Sequence, residues 1–131
     1  MNLIFKNLSA LVLSFSAITA FASPPTHLIT HNNTTEESNA FISGVPSIYP
    51  TAPISTNKVF WNLVRIACRQ SQPRPDNKCE AVIKMAPYTE KQEIGKVTLD
   101  LLTGNITPKS LSKNGYTLIV NGLGEASINK N

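Results

Sequence analysis

The chain predicts an all-β fold: a small antiparallel sandwich or open barrel of five to seven strands, with one disulfide-bridged hairpin. Three observations carry that expectation. Alternating apolar and polar residues recur in the C-terminal half, as in Cys79–Met85 and Lys96–Leu102, which is the period of a half-buried strand. Asn114-Gly115 precedes the apolar run Tyr116–Val120, and Asn121-Gly122 precedes a second run; Asn-Gly pairs tolerate the positive φ of a tight hairpin. Finally, Cys68 and Cys79 enclose Pro73, Pro75, Asp76 and Asn77, residue types that break strands and make turns.

The first 22 residues read as a cleaved signal peptide. Lys6 supplies the charged start, an apolar run extends from Leu8 to Phe21, and Ala20-Phe21-Ala22 offers small residues around a cleavage site. The run is about 14 residues, against the roughly 20 of a membrane-spanning helix. The mature chain is thus expected outside the cytoplasm, secreted or periplasmic, with no membrane span.

Residues 23–57 contain Pro24, Pro25, Pro46, Pro50 and Pro53, many Ser, Thr and Asn, and only Glu36 and Glu37 as charges. Such a stretch has little periodic apolar surface to offset the entropy of ordering it, so it reads as an extended or disordered arm. Ala40–Val45 is the exception, a candidate edge strand.

Residues 58–131 read as the packed β-rich domain. Its first segment, 58–69, is ambiguous. Phe60, Leu63, Val64 and Ala67 fall at helical spacing with Asn57 as a cap, whereas Phe60, Val64, Ile66 and Cys68 would share a strand face. Its Val, Ile, Phe and Trp content favours the strand; the alternative is an α+β fold with a helix at about 57–70. Cys79, Ala81, Ile83 and Met85 then form one strand face, and Val97, Leu99 and Leu101 another. Thr103-Gly104-Asn105 is a turn before Ile106. A module of this length is near the size at which a hydrophobic core alone is marginal, and two cysteines in an exported chain are expected to be paired.

The chemistry is mostly exclusion. A net charge of +4, one less without Lys6, falls short of a nucleic-acid footprint. Cys68 and Cys79 are too far apart for a zinc knuckle, and His27 and His31 lie in the arm, where no third ligand is placed by spacing. A Ser–His or Cys–His nucleophile needs a histidine held rigidly beside it, which a flexible arm would not supply. Gly122-x-Gly124 is too short for a dinucleotide fingerprint. Neither a metal nor a cofactor is therefore expected. Asn32, Asn33 and Asn105 stand in glycosylation sequons, relevant only in a host that uses them.

The expected function is that of a small exported, non-enzymatic binding protein. Its partner would be a protein or an acidic surface ligand, met by the basic tip Arg69, Arg74 and Lys78 of the bridged loop. Trp61 and Tyr88 are candidate interface anchors or core residues. A protease inhibitor presenting residues 68–79 is the second reading. A small hydrolase is the third and least favoured.

Overall fold

The computed structural model describes residues 23–131. The expected signal peptide, 1–22, lies outside the described residues. Ten strands and one α-helix follow in order: β1 (His27–Asn32), β2 (Ser38–Ile42), β3 (Val45–Pro46), β4 (Ser55–Phe60), α1 (Trp61–Ser71), β5 (Lys78–Met85), β6 (Glu93–Asp100), β7 (Ile106–Thr107), β8 (Ser110–Lys113), β9 (Tyr116–Gly122) and β10 (Glu125–Lys130). They form two five-stranded sheets, β4-β1-β10-β9-β8 and β3-β2-β5-β6-β7. The mostly-β sandwich expected from the alternating runs is present. It has more strands than the five to seven expected, because residues 23–57 are part of it.

That segment is the main correction. β1 lies between β4 and β10 in the first sheet, antiparallel to β4 and parallel to β10. It is an interior strand, and its pairing with β10 is parallel in an otherwise antiparallel sandwich. What orders the polar stretch is a buried hydrogen-bond network. The amide nitrogen of Asn32, a residue 1% exposed, donates to the carbonyls of Glu36 (2.7 Å), Thr51 (3.2 Å) and Ala52 (3.2 Å). The Asn32 carbonyl oxygen accepts from the Thr34 backbone N–H (3.1 Å) and hydroxyl (2.8 Å). Ser38 and Thr51, both buried, exchange backbone bonds of 3.0 and 2.8 Å. Buried amides and hydroxyls that find partners can order a segment with few apolar residues.

The second correction concerns 58–69. β4 ends at Phe60, and the chain turns directly into α1. Trp61, Val64 and Cys68 form its buried face, at the i, i+3, i+7 spacing of one helix side. Two tertiary bonds anchor the start: the Trp61 backbone N–H donates to Thr26 O (2.9 Å), and its indole Nε1 donates to Leu101 O (3.0 Å). Asn57 lies inside β4 rather than at a cap. Arg, Leu, Ala and Gln sustain the helix once Trp61 is fixed. The α+β alternative was therefore right about this segment.

The third follows from the second. Cys68 and Cys79 are bonded, as expected. The bridge, however, joins the last turns of α1 to the start of β5 and does not cross a hairpin. Among the turns, Asn114-Gly115 connects β8 and β9 with both residues at positive φ, 56° and 84°. Asn121-Gly122 is instead within β9, and the turn falls at Leu123-Gly124. Gly124 is fixed there by close approach: a Cβ would meet the Pro25 ring at 2.7 Å, and its N–H donates to Gly104 O (2.7 Å).

Candidate ligand-binding cleft

Burial between the two sheets is uneven. Met85, Ile94, Tyr116 and Ile128 are at most 2% exposed. Toward β2 and β4, Leu28, Ala40, Ile42, Val59 and Ile83 face between the sheets yet remain only half-buried. They line an open cavity of about 120 Å³. Strand alternation puts them there: β1 sends Leu28 and Thr30 inward, β4 sends Asn57 and Val59, and β5 sends Ala81 and Ile83. Val64, Ala67 and Cys68 of α1 form an end wall with Cys79, so the disulfide is part of the lining.

The space exists because four lining positions carry a single methyl group: Ala40, Ala67, Ala81 and Ala126. Tyr49 is the one aromatic residue of the lining, and no Asp, Glu, Lys, Arg or His is included in it. The segment Ser47–Thr51 spans one side of the cleft. It is held to β2 by Ser47 N–H donating to Ala40 O (2.8 Å), and to β4 by the Asn57 amide donating to Tyr49 O (3.2 Å). An enclosed, wholly apolar cavity of roughly 150 Å³ takes up benzene; this one is similar in volume but open, with Thr30, Ser38, Ser47, Thr51 and Asn57 in its lining. The cleft can thus hold an apolar group and hydrogen-bond a polar one at its rim.

The residues singled out in the sequence are placed differently. Arg74 makes a two-pronged contact to Asp76, Nε–Oδ1 3.1 Å and Nη2–Oδ2 2.7 Å, and reaches Glu80 at 3.3 Å. Asp76 raises the guanidinium pKa and is itself lowered, chiefly by that bond. Lys96 also meets Glu80 at 3.3 Å and is the main reason its pKa is lowered. Arg69 is exposed in the last turn of α1, and Lys78 is exposed at the start of β5. Arg74 is therefore offset by neighbouring acids, whereas the Arg69 and Lys78 side chains stay exposed and share no ion-pair partner with it among the described residues. Arg69-Gln70, the bond an inhibitor would offer a trypsin-like enzyme, is helical, whereas such a cleft takes an extended segment. Trp61 is core.

The histidines are ordered, contrary to expectation, because β1 is. His27 stacks on Phe60 with ring centroids 4.6 Å apart. His31 bonds Thr56 Oγ1 through Nδ1 (2.9 Å) and Glu125 Oε2 through Nε2 (2.6 Å). This Thr–His–Glu line has the order of a hydrolase relay. Alternation with the inward Leu28 and Thr30 puts it on the outer face of the sheet, and none of the three residues lines the cleft. It ties three neighbouring strands. Among the described residues, no group of three or more His, Cys, Asp or Glu side chains is placed to hold a metal ion. Asn32 is buried, so its sequon is inaccessible in the folded chain, while Asn33 is exposed.

On the outer face of the second sheet, the Tyr88 hydroxyl donates to the Glu37 carboxylate. Burial first, and then Glu37, push the phenol pKa from 10.0 up to about 12. A folded pKa above the unfolded one gives stability that is fully present below pH 10 and lost as pH rises toward 12. Wild-type protein is expected to lose more denaturant resistance over that interval than Tyr88→Phe; equal losses in urea titrations would refute the coupling.

Sequence reasoning missed the cleft because half of its wall comes from the segment read as an arm. Leu28 and Thr30 share one face of β1, and Ala40 and Ile42 one face of β2, but apolar Ile29 and Phe41 stand between them, so no polar–apolar alternation marks either strand. Both pairs are too short to stand out without their sheet partners.

A family model described as the type II secretion system substrate NttC matches residues 1–131. The crystal structure of the Legionella pneumophila type II secretion system substrate NttC is similar, with 56% sequence identity and a TM-score of 0.76, covering 82% of this chain and 99% of that chain. A search of curated proteins gave no match.

Proposed function

The chain belongs to the NttC family of type II secretion system substrates, and we propose that, outside the cell, it serves as a non-enzymatic binding protein for a small apolar molecule held between its sheets. One observation carries this reading. Leu28, Ile42, Val59 and Ile83 face inward but are left partly uncovered around a charge-free cavity. Leaving such side chains uncovered forgoes burial worth roughly 25 cal/mol per Å². In an exported chain that must stay dispersed in water, a retained apolar opening is most simply a place for a ligand.

The test is a methyl-labelled NMR titration of the secreted protein with benzene. The expected result is saturable shifts at Leu28, Ile42, Val59, Val64 and Ile83, with Leu101 and Ile94 unmoved. Ala67→Leu, which fills the cavity while keeping a good helix former, should abolish the shifts without lowering the melting temperature. Ala40→Leu gives the same test from the opposite wall. No saturable shift in the wild type would refute the reading.

A further inference from the structure

The polarity of the cleft is graded, and the gradient specifies the chemistry of its occupant. Register pairs Thr30 with Asn57 and Leu28 with Val59. The inner face of the first sheet thus changes from polar to aliphatic within one cross-strand step. The second sheet repeats the order. β1 runs into the 33–37 connection and β2 leaves it, so Thr30 and Ser38 lie toward that connection while Leu28 and Ile42 lie away from it. Both walls are polar at the same end.

At that end several hydrogen-bonding atoms are not used by the protein. The Asn57 amide nitrogen is engaged with Tyr49 O and Pro50 O, but its carbonyl oxygen has no partner among the described residues. The Ser47 hydroxyl accepts from the Tyr49 N–H (3.0 Å), which leaves its proton to donate. Thr30 lines the cleft half-buried, with no side-chain partner among the described residues. These groups can donate to and accept from a neutral head, and no lining cation is present to meet an anion. Facing sheets stand about 10 Å apart, so the gap left where alanine replaces a larger inward residue has the thickness of one hydrocarbon chain.

We propose, given the cleft as the binding site, that its ligand is an uncharged amphipath with a single aliphatic chain. The chain lies among Leu28, Ile42, Val59 and Ile83. A neutral hydroxyl, ester or amide head is seated at Thr30, Ser47 and Asn57. A carboxylate head would give up part of its hydration there and meet no counter-charge, which is unfavourable.

The experiment titrates the methyl-labelled protein with 1-octanol and, separately, with octanoate at pH 7.5. Octanol should shift the Leu28, Ile42, Val59 and Ile83 methyls saturably, with octanoate at least about tenfold weaker. Asn57→Lys, which keeps a donor toward Tyr49 O and adds a cation, should reverse the order; Ser47→Lys is the second variant should the first not fold. Octanoate binding as well as octanol to the wild type would overturn the neutral head while leaving the cleft intact. Benzene binding without octanol binding would overturn the amphipath. Failure of benzene as well would instead remove the cleft reading on which this one rests.

Discussion

Replacing Cys68 and Cys79 together by serine is expected to lower the melting temperature by on the order of 10–15 °C. The bridge spans a sequence separation of 11, for which the loop-entropy account gives about 3 kcal/mol. The site adds to that figure. Both cysteines are essentially fully buried, Cys68 at 1% and Cys79 at 0% exposed. Two serines would place hydroxyls against Val64, Ala81 and the other aliphatic residues of the wall, where unpaired polar groups are unfavourable. The bridge also holds the only described α-helix against β5, so the variant should broaden the methyl signals of Val64 and Ile83. Thermal unfolding of oxidised protein, reduced protein and the double serine variant checks this. A melting temperature unchanged in both altered forms would show that the bridge has no structural role.

Asn32→Ala is expected to destabilise by on the order of 3 kcal/mol. The substitution removes a donor shared by three carbonyls and an acceptor shared by a backbone N–H and a hydroxyl. Little water can replace them at a residue 1% exposed. Asn32→Asp should be at least as damaging at neutral pH, because it turns a carboxylate oxygen toward the carbonyls of Glu36, Thr51 and Ala52. Urea midpoints give the magnitude. Hydrogen exchange at Ser38 and Thr51, whose amides bond each other's carbonyls, should quicken first. A loss below about 0.5 kcal/mol for Asn32→Ala would mean that the segment is ordered by something else.

These two sites also show what the residues alone could reveal. The cysteine pair, the alternating faces of β5 and β6, and the Asn114-Gly115 hairpin were legible because each depends on local chemistry: oxidation, period two, and positive φ. Residues 23–57 were not, because Asn32, Thr34, Ser38 and Thr51 look identical in composition to a solvated arm. Their burial depends on carbonyls up to 20 residues away. The start of α1 failed for a related reason. Trp61 could serve strand or helix, and the bonds to Thr26 and Leu101 decide the matter from outside the segment. The basic tip illustrates the reverse case at one of its three residues. Arg74 was counted as free charge, yet Asp76, two residues on, neutralises it. For the cleft, neither the inward faces of β1 and β2, masked by apolar Ile29 and Phe41, nor the opposing walls could be read locally.

The pairing of β1 with β10 has a bearing on the order of events when the chain is made. His31 and Glu125, 94 residues apart in sequence, meet across that ladder, and β10 separates β1 from β9. A partial chain ending before Glu125 would leave β1 and β9 with unpaired edges and no strand between them. Contacts of such separation form slowly, since their closure entropy must be met before they stabilise anything. The first sheet therefore cannot be completed until β10 is available to pair with β1. The second sheet, β3-β2-β5-β6-β7, lies wholly within residues 38–107 and does not share this dependence.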